Sequence, residues 1–207
     1  DRPLDKVGFD HATFTYGAEP EKAPEDGRFM LHDLCCQFPV GKISIVVGPV
    51  GSGKSSILLA MLGEMQRIRG KTIMPCPIAR SLVEPDPISK LTESTAYCSQ
   101  SAWLLGTTIR QNILFGTAYD EDRYHEVLRA CALEADLDIL EHHDETEVGE
   151  KGTSLSGGQK ARIALARAFY SCAKHILIDD ALSAVDAHTA KHLCKHCFQG
   201  PLSQGRT

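Results

Sequence analysis

The chain has 207 residues, a formal net charge of −5 and no long basic run. That length gives one ordinary domain with a real core, and that charge argues against duplex nucleic acid as the main partner. No stretch approaches the ~18 apolar residues of a membrane span, and Asp1-Arg-Pro-Leu-Asp5 lacks the apolar segment of a signal peptide.

Residues 7–16 predict a strand with Ala12, Phe14 and Tyr16 on one side. An acidic, proline-bearing loop follows over 17–29. A second strand runs from Met30 to Phe38 and closes at Pro39-Val-Gly41. The run Ile43, Ile45, Val46, Val47 then reads as a buried strand entering Gly48-Pro-Val-Gly-Ser-Gly-Lys54-Ser55, a fit to G-x-x-x-x-G-K-[ST]. Behind it, Ile57, Leu58, Met61, Leu62 and Met65 share one helix face. Strand, glycine-rich turn and helix together let backbone N–H groups and a helix N-terminus cradle phosphates. Lys54 is placed for the β- and γ-phosphates and Ser55 for Mg²⁺. Gly48, Val50, Gly51, Ser52, Gly53 and Ser56 complete the cradle. The competing reading, a turn with an incidental lysine, is opposed by both flanks.

Residues 70–95 carry Pro75, Pro77, Pro85 and Pro87 and read as a surface excursion. Ser94–Gln100 predicts a short buried strand, and Tyr124, Val127, Leu128 and Cys131 share a helix face. Leu155-Ser-Gly-Gly-Gln159 opens a long helix with the stripe Ala161, Ala164, Leu165, Ala168, Phe169, Cys172. Its glycines and free N–H groups suit an anion, and Ser156 equally suits a plain N-cap. His175-Ile-Leu-Ile-Asp179-Asp180 is a strand ending in two carboxylates. Strands alternating with helices indicate an α/β fold around a mostly parallel sheet, with ligands at the strands' carboxyl ends. Asp179 is placed as the metal-side carboxylate, Asp180 to orient water, and Gln100 to reach the metal or the water.

Eight cysteines in such a chain read as reduced thiols. Cys194-Lys-His-Cys197, with His192 and His196, invites a zinc site. Against it, Ala190, Leu193, Cys194, Cys197 and Phe198 form an apolar helix stripe, which favours core thiols.

These motifs together resemble the nucleotide-binding domain of an ABC transporter. Gly48–Ser55 is similar to Walker A, Gln100 to the Q-loop, Leu155–Gln159 to the ABC signature, Ile176–Asp179 to Walker B and Ser183–Asp186 to the D-loop. Tyr16 falls where the family places an aromatic that stacks on adenine; a strand-end core aromatic is the alternative. Gly48–Ser56, Ala102-Trp103, Gln111–Gly116 and Asp179–His188 resemble the first such domain of the C subfamily, the multidrug-resistance-associated type. Thr146–Gly152 resembles the exporter x-loop, which touches membrane domains.

The resemblance implies a RecA-like P-loop NTPase core over 1–100 and 173–207, an antiparallel β-subdomain and a helical subdomain over 101–172. It implies ATP and Mg²⁺ as ligands, with Ser55, Gln100 and Asp179 at the metal. A second nucleotide-binding domain would share two ATP molecules with this one, receiving Ser156, Gly157, Gly158 and Gln159 into its own site. Membrane domains of the same transporter would hold the chain at the cytosolic face of a membrane. Asp180 stands where hydrolysing sites carry Glu, which implies an ATPase with a slow, degenerate site. The family's H-loop histidine is expected beyond Thr207. A nucleotide-sensing domain of a channel-associated relative is the alternative; a soluble ATPase of ribosomes or DNA is disfavoured by the charge and the x-loop.

Overall fold

The computed structural model describes residues 6–17, 29–75, 83–149 and 154–207. The chain forms two compact units, residues 1–79 with Thr207, and Arg80–Arg206.

In the first unit, β1 (Lys6–Thr15) lies between β2 (Met30–Pro39) and β3 (Gln66–Ile73), antiparallel to both. Both ladders of β1 slip register between Phe9 and Phe14, where His11 takes a φ of 44°. A bulge of this kind breaks the period of two. Ala12 and Phe14 are buried as expected, but Tyr16 falls past the strand end and is 47% exposed. Among the described residues of this unit, Val7, Phe9, Ala12, Phe14, Leu31, Ala60, Met61 and Met65 are the buried apolar ones.

Strand β3 had no counterpart in the sequence reading, which assigned 70–95 to an excursion. Its residues, QRIRGKTI, hold too few apolar side chains to mark a core face, and their burial does not alternate. Arg67, Arg69 and Lys71 are the charges expected of an edge strand, and such a strand is recruited by β1 rather than by its own pattern. The helix α1 (Lys54–Leu62) forms behind the glycines and stops at Gly63, whose N–H is donated to the Ala60 carbonyl. Ile57, Leu58 and Leu62 are only half-buried, so the expected apolar face narrows to Met61, with Met65 beyond the helix, while Ala60, not expected there, is buried.

The run Ile43–Val47 corrects a second expectation. It forms no ladder among the described residues, and Ile43, Ile45 and Val47 are 56%, 80% and 84% exposed. An unbroken apolar run signals a strand covered on both faces, but periodicity alone supplies no hydrogen-bonding neighbour. The sheet of this unit is already occupied by β2, β1 and β3.

In the second unit, β4 (Thr92–Cys98) pairs in parallel with β5 (Ala173–Ile178), Cys98 opposite Ile178. The helices are α2 (Ile109–Leu114), α3 (Glu121–Ala130), α4 (Glu134–Ile139), α5 (Gly157–Tyr170) and α6 (Ala187–Leu193). Helix α5 is central: Ala161, Ile163, Ala164, Leu165, Ala166, Ala168, Phe169 and Tyr170 are all buried, a wider face than the predicted stripe. Its last carbonyls are also satisfied. Arg123 donates to the Ser171 carbonyl at 2.6 Å, and Arg206 to those of Ser171 and Phe169 at 2.9 and 3.1 Å. Cations at a helix C-terminus complement its dipole. Among the described residues the chain is mixed α/β, with a three-stranded antiparallel sheet and a two-stranded parallel pair where one mostly parallel sheet is expected.

Residues Cys194–Phe198 follow α6 as a π-helix. The wider turn shifts the 3.6-residue stripe, so Cys197 is fully buried while Cys194 is only half-buried. Cys197 Sγ lies 3.9 Å from the buried Cys131 Sγ, as core thiols pack. Among the described residues, the donors grouped closely enough for a metal are Asp10, His11 and Cys35, all exposed, and not the Cys194–Cys197 pair.

Candidate functional site

The glycine-rich loop lies in the first unit. Gly51 and Gly53 adopt positive φ, 80° and 89°, and Gly53 starts α1 without any side-chain cap. A Cβ at Gly53 would come 3.0 Å from Phe29 Cζ and 3.2 Å from Leu31 Cδ2, so glycine is required there twice over, by backbone and by space. Lys54 Nζ donates to the carbonyls of Gly48 and Pro49 at 2.9 and 2.8 Å, drawing its ammonium back over the loop. Val50 is wholly exposed, and its side chain adds nothing to the cradle beyond its backbone. Ser55 opens the helix beside Lys54, and Ser56 is buried.

Tyr16 belongs to the same unit, and its hydroxyl donates to Ser56 Oγ at 3.0 Å. Its ring is tilted against Phe29 with centroids 5.8 Å apart. The structure therefore brings Tyr16 to the loop's helix and leaves its ring half-exposed, unlike a core aromatic.

The carboxylates lie in the second unit at the end of β5. The Asp179 N–H donates to the Cys98 carbonyl at 2.9 Å, extending the strand pairing by one step. Asp179 is buried, and Tyr97 donates its hydroxyl to Oδ2 at 3.4 Å. Asp180 is exposed in the left-handed region, φ 51°, with its carbonyl accepting from the N–H and hydroxyl of Ser183. Gln100 Nε2 donates to Asp180 Oδ2 at 3.4 Å, so two predicted site residues meet here. The donors proposed for a metal are a hydroxyl, a carboxamide and a carboxylate, an all-oxygen set that fits Mg²⁺ rather than a soft ion.

At the start of α5, Ser156 Oγ accepts the Gln159 N–H at 3.2 Å, and Gln159 Oε1 accepts the Ser156 N–H at 2.9 Å. This is a complete capping box. Gln159 Nε2 also donates to Asp136 Oδ1 at 3.0 Å, so its side chain is committed within the fold. Gly158 abuts the loop after β5: a Cβ there would stand 2.9 Å from the Ala184 carbonyl oxygen. Gly157 has open space at the same place. The next loop ends at Asp186, which caps α6. The Thr189 hydroxyl, then the N–H groups of Thr189 and His188, lower its pKa to about 2.

Sequence reasoning missed two supports. Arg167 from α5 lies 4.3 Å from the Trp103 ring and 5.0 Å from that of Phe115, and bonds the Asn112 carbonyl and side chain. Trp103, Leu105 and Phe115 thus form a half-exposed patch shortly after Gln100. The second is Asp144. Burial raises its pKa, but the Arg110 fork at 2.7 and 3.0 Å and the Tyr124 hydroxyl at 2.8 Å outweigh it, and the net shift is downward. Neither partner set has a local sequence spacing. The x-loop residues 150–152 lie outside the described residues; before them, Val148 N–H donates to the Thr107 carbonyl.

Residues 31–183 match the family described as ABC transporter. The chain is 50% identical over 202 residues to "ABC transporter ATP-binding protein/permease VMR1" of Saccharomyces cerevisiae, covering 98% of this chain and 12% of that protein. It is 48% identical to "ABC transporter 7" of Pyricularia oryzae (97% and 12%) and 47% identical to the "ATP-dependent bile acid permease" of Saccharomyces cerevisiae (98% and 12%). The chain therefore spans about an eighth of these relatives' length. Among the described residues, no helix is long and apolar enough to cross a membrane.

Proposed function

The chain belongs to the ABC transporter family, of the multidrug-resistance-associated type, and from there we propose that it is the first nucleotide-binding domain of a C-subfamily exporter. Lys54 and the loop N–H groups hold the phosphates, Tyr16 stacks on adenine, and Ser55, Gln100 and Asp179 hold the magnesium. Bound Mg²⁺ neutralises charge on the β- and γ-oxygens. Ser156, Gly157 and Gly158 complete the ATP site of a second such domain, and Gln159 fixes that helix start. Binding of ATP closes the two domains. The x-loop and the Q-loop, at the cytosolic face of a membrane, pass the closure to membrane domains. The two relatives named as permeases support transport, rather than sensing, as the output.

The observation that carries the mechanism is the end of β5. Asp180 stands where a hydrolysing site needs a water-activating carboxylate, with Gln100 at 3.4 Å. Asp is one methylene shorter than Glu, which sets its carboxylate roughly 1 Å back, and such a displacement costs about 10²-fold in rate. The site binds ATP and turns it over slowly. MgATP affinity and turnover of wild type and Asp180→Glu test this. Wild type is expected to bind with little turnover, and Glu to raise turnover once the partner domain is present. Brisk hydrolysis by wild type would remove the slow-site reading.

A further inference from the structure

Phe29 has no part in any motif of the sequence, yet the first unit gathers its nucleotide-facing parts around it. Its ring lies 5.8 Å from that of Tyr16 at a 34° tilt. The same ring stands 3.0 Å from where a Gly53 Cβ would be. The Thr15 hydroxyl lies 3.4 Å from the Phe29 carbonyl and 3.5 Å from the Tyr16 carbonyl, between the two. Thr15 itself pairs with Met30, next to Phe29, so the strand register fixes both aromatics. At its far end Tyr16 is held by Ser56, two residues after Lys54. Both rings remain half-exposed, 47% and 42%.

We propose that Phe29 is a positioning residue for the nucleotide base: it backs the Tyr16 ring beside Gly53, so that a nucleotide held by Gly48–Ser55 meets a base platform already in place. This rests on the reading of Tyr16 as the adenine-stacking residue. Without Phe29, Tyr16 keeps its hydroxyl tether and loses the neighbour that fixes its ring, and a platform ordered only on binding binds more weakly.

Binding of MgATP and of inorganic tripolyphosphate to the full chain is measured by calorimetry for wild type, Phe29→Ala, Phe29→Tyr, Tyr16→Ala and the double alanine variant. Phe29→Ala is expected to weaken MgATP about fivefold, close to the lower limit for a lost base–aromatic stack because Tyr16 itself remains, and to leave tripolyphosphate unchanged. Phe29→Tyr restores MgATP affinity, and the double variant is no weaker than Tyr16→Ala alone, as coupled residues behave. Equal weakening of both probes would overturn the proposal, because the defect would then be in the phosphate loop. So would additive losses in the double variant, or unchanged MgATP affinity in Phe29→Ala; with Tyr16→Ala still weak, the stacking reading survives both. Wild-type MgATP affinity in Tyr16→Ala removes the stacking reading, and the role of Phe29 with it.

Discussion

Two glycine-rich helix starts in this chain solve opposite problems. At α1, Gly53 supplies no side-chain cap, only its carbonyl to the Ile57 N–H, and among the described residues Lys54 donates to its own loop carbonyls. At α5, a capping box satisfies two groups, Gln159 is tied to Asp136, and Gly158 is pressed towards Ala184. A helix N-terminus attracts anions through orphan N–H groups and its dipole. Helix α1 has no side-chain cap on those groups, whereas α5 commits part of them to its capping box and has open space at Gly157. The first arrangement suits a loop that wraps a triphosphate, the second a fixed end offered to a phosphate held elsewhere.

The comparison is broken most severely by removing what anchors the second unit. Asp144→Ala leaves the Tyr124 hydroxyl without its acceptor and Arg110 with Glu145 in place of a bidentate partner. It is expected to lower unfolding stability by about 2–3 kcal/mol, below the fully buried range because the Arg110 side chain is 37% exposed; denaturant melts check this. Gly158→Ala must displace the Ala184 backbone and is expected to cost about 1–2 kcal/mol, whereas Gly157→Ala, facing open space, costs only its helix-terminal difference. Ser156→Ala removes one half of the capping box and is expected to lower the thermal midpoint by the equivalent of about 1 kcal/mol. Gly53, which caps by backbone alone, allows no matching side-chain deletion at α1.

The smallest expected effect is a pH dependence confined to the second unit. His175 is buried, and its Nδ1 has no hydrogen-bond partner among the described residues. Burial lowers its pKa below 6.5, against the opposing hydrogen bond to Glu93. The folded state thus holds fewer protons than the unfolded one. Stability is fully present above pH 6.5 and declines as pH falls towards the folded value. Thermal melts across that window are expected to show the decline, and His175→Gln to flatten it.

Much of this was legible in the sequence because it is local. The phosphate loop, the α3 face, the α5 start and the β5 carboxylates are each fixed by residues within about two turns of one another. What escaped needs distant partners. Strand β3 exists through its pairing with β1, and β1 ends at Thr15, one residue before Tyr16. The run Ile43–Val47 has a strand's composition without a described neighbour. Tyr97 beside Asp179, Phe29 beside Tyr16 and Arg167 beneath Trp103 are contacts across 13 to 82 residues, which no spacing reveals.

The central claim is that Gly48–Ser55 binds the triphosphate of MgATP, and calorimetric binding by wild type and Lys54→Ala tests it most directly. A bond from a charged donor contributes about 1.5–3 kcal/mol, so the account predicts at least a roughly tenfold loss of affinity in the variant. Wild-type affinity in Lys54→Ala would contradict it.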